Sequence, residues 1–402
     1  MKILIINPVH PATPHISAVR AWCFARELAA MGHRVVLLCA ARDAASLDSG
    51  NAICGHDWSQ PYVLAPSEAD IGAVLRLPMP LCKAVTAWRL VRNGGAMGKW
   101  VRHAEAVMER LTDSFRPDVI WTTYGRMEAV ITARRIARRF HCPWVLDVKD
   151  NWELYVPHGL RRLMSSRTRG WAALTANSGF TREKARIWQR AMASVIYSGV
   201  SDAFFSPAGI ARADRDAFRI NLIGGLYYAD RLTEFLEGIR RWLHYLPLSE
   251  RGRIELSYLG GDVNTFRSCA TPYETYFRLC SLGYVTVDRM ACECRHAAVN
   301  SYITHEGTFH HKLLELLSCG RPVLAFPMES DEARRLAREV RGELLEPRDV
   351  SEVAAQLDHL YQRRRHELDS IPMVNCSDYS WPAQAQLLEK VLIRVAKNGV
   401  NR

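Results

Sequence analysis

Lys312 and Glu315 stand three residues apart in HHKLLELLSCGRPVLAF, residues 310–326, where a leucine-bearing helical pattern runs to Gly320 and on into an apolar strand. A lysine ammonium is a compact point charge suited to phosphate oxygens. A carboxylate offers two acceptor oxygens that match the vicinal hydroxyls of a ribose. Thr308 suits an N-cap, so a helix over 309–319 would turn its positive end, with Lys312 on its first turn, toward a diphosphate. The competing reading is an ordinary i, i+3 surface pair worth about 0.2–0.5 kcal/mol. Leucines on the opposite face and the strand behind Gly320 favour the binding reading.

Two further stretches carry chemistry. In LIGGLYYADR, residues 222–231, Gly224 and Gly225 let backbone approach a phosphate, and Arg231 supplies a planar fork for its oxygens. In VLDVKDNWE, Asp150 follows a buried apolar run, with Asp147 earlier on the same strand. A carboxylate there is costly unless it sits at the carboxyl edge of a sheet, facing a ligand.

The elements that must position these groups read as two α/β series. KILIIN, RVVLLCA, PDVIWTT, PWVLDVKD, LTANS and SVIYSGV are strands of the first, with helices after the proline-rich loop 8–17 and over Met127 to Phe140. FRINLIGG, RIELSYLGG, YVTV and RPVLAF are strands of the second, with a helix over Leu232 to Leu243. The predicted join lies at Ser201 to Asp214, where periodicity lapses. Residues 76–110 form an insert with seven basic and two acidic side chains among tryptophans and leucines, which predicts a pair of basic amphipathic surface helices.

The 402 residues, 48% hydrophobic, suffice for two cores. Net charge is +11, and residues 1–200 hold 27 basic and 15 acidic side chains against 26 and 27 over the rest, so the first half is expected to face an anionic partner. A nucleic-acid reading lacks an aromatic stacking platform or a known binding module. Eleven cysteines include no C-x-x-C pair, which fits a reduced cytosol. The start MKILIIN has no secretory pattern, and no uncharged apolar run reaches the ~20 residues of a membrane span.

LAAMGHRVVLL, RPDVIWTT, VLDVKDNWE, LTANSGFTRE, YSGVSDAFFSP, KLLELLSCGRPVLAF and EVRGELLEPRDVSEVAAQL occur in one order. Together they resemble the GT-B glycosyltransferases of family 4, the group 1 glycosyl transferases, over nearly the whole chain and most specifically over 306–350. The resemblance implies two Rossmann-like, doubly wound parallel-sheet domains facing each other across a cleft: 1–200 with a returning helix 380–402 for the acceptor, and 201–379 for a nucleotide-sugar donor. It implies transfer of a sugar to a hydroxyl of a glycan or lipid-linked acceptor with retention of configuration, as in polysaccharide biosynthesis, without a metal or other cofactor. Donor binding would fall to Glu315, Lys312, Gly224, Gly225, Arg231 and Thr308. Many relatives have a second glutamate eight residues before the ribose carboxylate, a position held here by Gly307. Either Glu306 takes that place or the chain belongs to a branch without it. His15 and Arg20 flank a loop that in the family touches acceptor and donor phosphates. The catalytic candidates are thus Asp150, Lys312 and His15, and the acceptor-binding ones Arg20, Asp147 and Asp150. The expected location is cytoplasmic, on the anionic inner face of the membrane. The alternatives are a nucleotide-sugar epimerase or phosphorylase on the same fold, or a non-catalytic nucleic-acid-binding protein.

Overall fold

The structure is a computed structural model that describes residues 1–69, 78–151, 153, 156–205, 217–305, 309–366 and 374–400. Two compact units emerge, Met1–Gly199 with Trp381–Arg402, and Val200–Ser380.

The first unit is built on strands β1 Lys2–Ile6, β2 Arg34–Leu38, β3 Tyr62–Leu64, β4 Val119–Tyr124, β5 Trp144–Val148, β6 Ala173–Ala176 and β7 Ser194–Val195. They form one sheet in the order β3-β2-β1-β4-β5-β6-β7, with every pairing parallel. Apolar runs such as Ile3–Ile6 and Val35–Leu38 are fully buried because both faces are covered. On one face lies a core around Trp100, Phe115 and Trp144. On the other, helix Ile16–Ala30 and the last helix, Trp381–Val400, bring Phe24, Trp381, Leu388 and Leu392 against Trp121. Phe24 meets Trp121 and Trp381 edge-on, at centroid distances of 5.6 and 5.3 Å.

The second unit has β8 Phe218–Ile223, β9 Ile254–Leu259, β10 Arg278–Ser281, β11 Val299–Ile303, β12 Val323–Phe326 and β13 Leu344–Leu345. Their order is β10-β9-β8-β11-β12-β13, again all parallel. In each sheet the chain reverses its winding once, between β1 and β4 and between β8 and β11. Those are the points where a parallel sheet opens a crevice beyond its carboxyl edge.

Three sequence expectations need correction. YVTV is no strand: Thr286 caps helix Val287–His296, its hydroxyl accepting from the Arg289 N–H, and the edge strand is the earlier Arg278–Ser281. The helix expected over 309–319 is shorter, Lys312–Ser318, with His311 at its N-cap. The insert does give two helices, Met79–Asn93 and Gly98–Arg110, but the second is a core element, with Trp100, Val101, Ala104 and Met108 fully buried. The described part of the first lies nearer the surface and leaves Leu81 57% and Trp88 55% exposed.

Candidate active site

In the second unit the carboxyl ends of β8 and β11 meet helix Lys312–Ser318. Lys312 Nζ donates to the Ile223 carbonyl at the end of β8, 2.9 Å away, and stands 5.0 Å from the Tyr302 ring centroid. Gly224 follows with φ +94°, and a Cβ there would lie 2.3 Å from Lys312 Nζ, so glycine is required for this approach. Lys312 therefore spends a proton on backbone rather than on Glu315. Among the described residues the Glu315 carboxylate accepts no hydrogen bond. Burial lowers the Lys312 ammonium to about 8, opposed by Glu329 and Glu315. Burial raises the Glu315 carboxyl to about 7, opposed by Lys312. The pair is thus a cation and a carboxylate, both desolvated and neither neutralised by an ion pair.

Behind Lys312 is a network that its sequence does not announce. Tyr302 and Glu329 are buried; the Tyr302 hydroxyl donates to Glu329 Oε1 over 2.8 Å, and the Ser330 N–H donates to Oε2 over 2.8 Å. His310 Nε2 accepts from the His305 N–H at 2.9 Å, which leaves the proton on Nδ1 to donate to Glu329 Oε1 at 2.6 Å. This chain ties the stretch before the helix to β11 and β12 and places a buried carboxylate near the lysine. Arg231 lies on helix Ala229–Leu243, pairs with Glu234 at 2.9 Å, and lines a cavity of about 370 Å³ with Tyr228, Asp230, Glu234, Thr304 and Pro327. A Cβ on the flanking Gly225 would lie 3.1 Å from the Tyr227 ring. Glu306 and Thr308 lie outside the described residues.

In the first unit a cavity of about 800 Å³ opens beside the β1/β4 reversal, and His15, Ser17, Gly125, Arg126 and Asp150 all line it. Asn7, just after β1, fixes this edge by donating to the Ser17 carbonyl at 2.9 Å. His15 is the N-cap of helix Ile16–Ala30; its Nδ1 accepts from the Ser17 N–H at 3.1 Å, so the neutral ring carries its proton on Nε2. Its pKa is lowered by burial first and by Lys149 next, with Asp150 opposing. Asp150 follows β5 and receives Lys149 Nζ at 3.4 Å on both oxygens. Lys149 itself is buried, and desolvation lowers its pKa.

Arg20 and Asp147, expected to bind acceptor, do something else. Both are 0% exposed. Arg20 grips Asp147 with Nε and Nη2 at 3.0 and 2.9 Å, and also reaches the Ile196 carbonyl and the Ser198 hydroxyl. Asp147 Oδ1 accepts once more from Thr175 at 2.7 Å. Every charge-bearing atom is engaged within the fold, so the pair locks helix Ile16–Ala30 to the sheet and presents nothing to a ligand. Side chains alternate along a strand, and the residue at Asp147 points into the helix-covered face.

The cavity has two features that residue patterns did not single out. One wall is a face of helix Met79–Asn93 carrying Cys82, Thr86, Arg89 and Leu90. Another is the Gly94-Gly95-Ala96 turn, where a Cβ on Gly94 would sit 2.6 Å from the Met127–Glu128 backbone. The buried Glu128 carboxylate accepts from the Met97 N–H at 3.2 Å, and burial raises its pKa. The signal for this turn was the Gly-Gly pair closing the basic helix. Among the described residues no group of three His, Cys, Asp or Glu side chains gathers where it could hold a metal ion. None of the described helices is long and apolar enough to cross a membrane.

Residues 17–195 match the family model of the glycosyl transferase 4-like domain. Sucrose-phosphate synthase from Thermosynechococcus elongatus superposes with a TM-score of 0.67 at 14% identity, covering 98% of each chain. The fold is that of the GT-B glycosyltransferases. Anabaena HepE, in complex with UDP and glucose, matches this GT-B chain with a TM-score of 0.61 at 14% identity over 100% of this chain and 98% of that one. UDP-GlcNAc 2-epimerase from Neisseria meningitidis, bound to UDP-GlcNAc, matches with 0.54 at 11% identity over 98% and 100%. No curated protein matches at the level of sequence. The resemblance of the sequence to GT-B enzymes is borne out by the domain match and by the two parallel sheets.

Proposed function

We propose that the protein transfers a sugar from a nucleotide-sugar donor to a hydroxyl of a glycan or lipid-linked acceptor. The observation that carries this reading is the Lys312–Glu315 pair: a desolvated ammonium against the end of β8 and, one turn on, a half-buried carboxylate that accepts no hydrogen bond among the described residues. A nucleoside diphosphate answers both, its phosphates on the cation and its ribose hydroxyls on the carboxylate. The UDP complex of HepE, a protein of the same fold, supports this assignment. Gly224, Gly225 and Arg231 are assigned to the same donor; Thr308, and Glu306 if it takes the place of the family's second glutamate, would be further donor contacts.

In the reaction, the acceptor oxygen bonds to the anomeric carbon while the bond from that carbon to the diphosphate oxygen breaks. The electron pair leaves with the diphosphate, which Lys312 stabilises without a metal. Asp150 takes the hydroxyl proton in the first unit. His15, with Nδ1 occupied, donates from Nε2 to hold an oxygen in place. We propose retention of anomeric configuration, the outcome that the resemblance to family 4 implies. Binding of UDP and UDP-sugars by calorimetry tests the donor half: the native protein should bind and Glu315→Ala should not, and equal affinity in both would remove the assignment.

The membrane is the proposed workplace. Leu81 and Trp88 are exposed on one stripe of helix Met79–Asn93, Arg92 lies 5.0 Å from the Trp88 ring, and the first 200 residues carry net +12. The second reading, an epimerase, draws on the fold it shares with the UDP-GlcNAc 2-epimerases. Product analysis with donor alone separates them, since an epimerised sugar without acceptor would decide for the epimerase.

A further inference from the structure

We infer that the cavity of the first unit takes an amphiphilic phosphate: an apolar chain against its aliphatic walls, with the phosphate held by Arg89 and Arg126. The inference rests on the transferase reading for its role as acceptor, but its physical basis is the cavity alone. Four ionisable side chains other than His15 and Cys82 border the space: Arg89, Arg126, Glu128 and Asp150, with Tyr124 as its phenol. The two carboxylates are committed. Glu128 receives the Met97 N–H, and Asp150 faces buried Lys149. The two guanidiniums are not: among the described residues neither Arg89 nor Arg126 makes a hydrogen bond or ion pair.

Uncommitted guanidinium forks beside occupied carboxylates select an anion, and their geometry fits phosphate oxygens. Arg126 is also the N-cap of the 14-residue helix Met127–Phe140, and its side chain makes no cap bond, so the first-turn N–H groups add positive potential at the same place. The remaining walls are apolar, with Val9, Leu90, Met127, Val156 and Pro157. At about 800 Å³ the space is near the upper end of the ~300–1,000 Å³ typical of small-molecule sites, ample for an alkyl or prenyl chain beside a headgroup. The helix that supplies Arg89 exposes Leu81 and Trp88 on its adjacent stripe, a surface compatible with lipid.

Titration of the full-length protein with dodecyl phosphate below its micelle concentration, followed by calorimetry, tests the inference. Dodecyl maltoside and inorganic phosphate serve as the neutral-head and chainless controls, and UDP binding is measured on the same samples. Dodecyl phosphate should bind at least tenfold more tightly than either control, and R89Q and R126Q should each weaken it about tenfold with unchanged melting temperature and UDP affinity. Equal binding of dodecyl maltoside would reduce the cavity to a nonspecific apolar site, and equal binding of inorganic phosphate would remove the chain. Undiminished binding in both variants would also overturn the inference. Failure of UDP to bind while dodecyl phosphate binds would strike the donor reading and leave this site standing.

Discussion

At the scale of single residues, the Lys312–Glu315 pair fixes a pH signature. Glu315, raised from 4.5 to about 7, takes up its proton more readily in the folded state, so its contribution to stability is present below 4.5 and is lost as pH rises through about 7. Lys312, lowered from 10.5 to about 8, contributes above 10.5 and loses that contribution as pH falls through about 8. The ligand-free protein should therefore show, from this pair, least stability between about 7 and 8, where both charges are present. In the proposed donor site nucleotide uses both charges, so its affinity should peak in that same window and fall on either side; a flat profile from pH 6 to 9 would contradict the pairing. Glu315→Gln should stabilise the free protein at pH 8 and weaken nucleotide about 10- to 100-fold, the ~1.5–3 kcal/mol of hydrogen bonds to a charged acceptor. The types and spacing of these two residues were legible in the sequence. Their supporting shell was not, because Tyr302, His310 and Glu329 come from three separate segments and meet only when β11 and β12 pair.

At the scale of elements, buried strands with continuous apolar runs were readable, and β1, β2, β4 and β8 fall where their sequences put them. β11 escaped because VNSYI carries polar residues into the core: Asn300 donates to the Cys294 carbonyl at 3.1 Å, and Ser301 to the Asn221 carbonyl at 2.6 Å. The same difficulty misplaced Arg20 and Asp147. A charged residue at the edge of a helix or strand reads as a ligand contact when its partner is 127 residues away. Arg20→Ala leaves Asp147 charged and unpaired in the core, and should cost about 3–5 kcal/mol of stability of the first unit, seen as an earlier thermal transition. A lock between helix and sheet predicts that UDP affinity, which the proposed donor site assigns to the second unit, is unchanged at temperatures where the variant remains folded. Loss of UDP binding with an unshifted melt would instead restore Arg20 as a ligand contact.

For the molecule as a whole, the charge asymmetry and the exposed stripe of helix Met79–Asn93 point to one surface property. Flotation with vesicles containing anionic lipid should carry the protein upward at low salt, and Leu81→Ser with Trp88→Ser should reduce the bound fraction severalfold while nucleotide affinity stays constant. Flotation unaffected by salt and by both substitutions would exclude this helix as the contact. The doubly wound class of both halves was legible from the alternation of strand and helix alone. The commitment of helix Gly98–Arg110 to the core was not, because its basic residues mask a stripe that buries Trp100, Val101, Ala104 and Met108.

The return of helix Trp381–Val400 to the first unit bears on how the polypeptide matures during synthesis. By the time Ser380 is made, the second unit has every strand of its sheet, and Val200 can bond the Tyr379 carbonyl at 2.7 Å to close its ends. The first unit, although begun earlier, still lacks Trp381, Leu388 and Leu392 over Phe24 and Trp121. Its hydrophobic face must wait for the last helix to leave the ribosome, inverting the usual order in which N-terminal domains finish first.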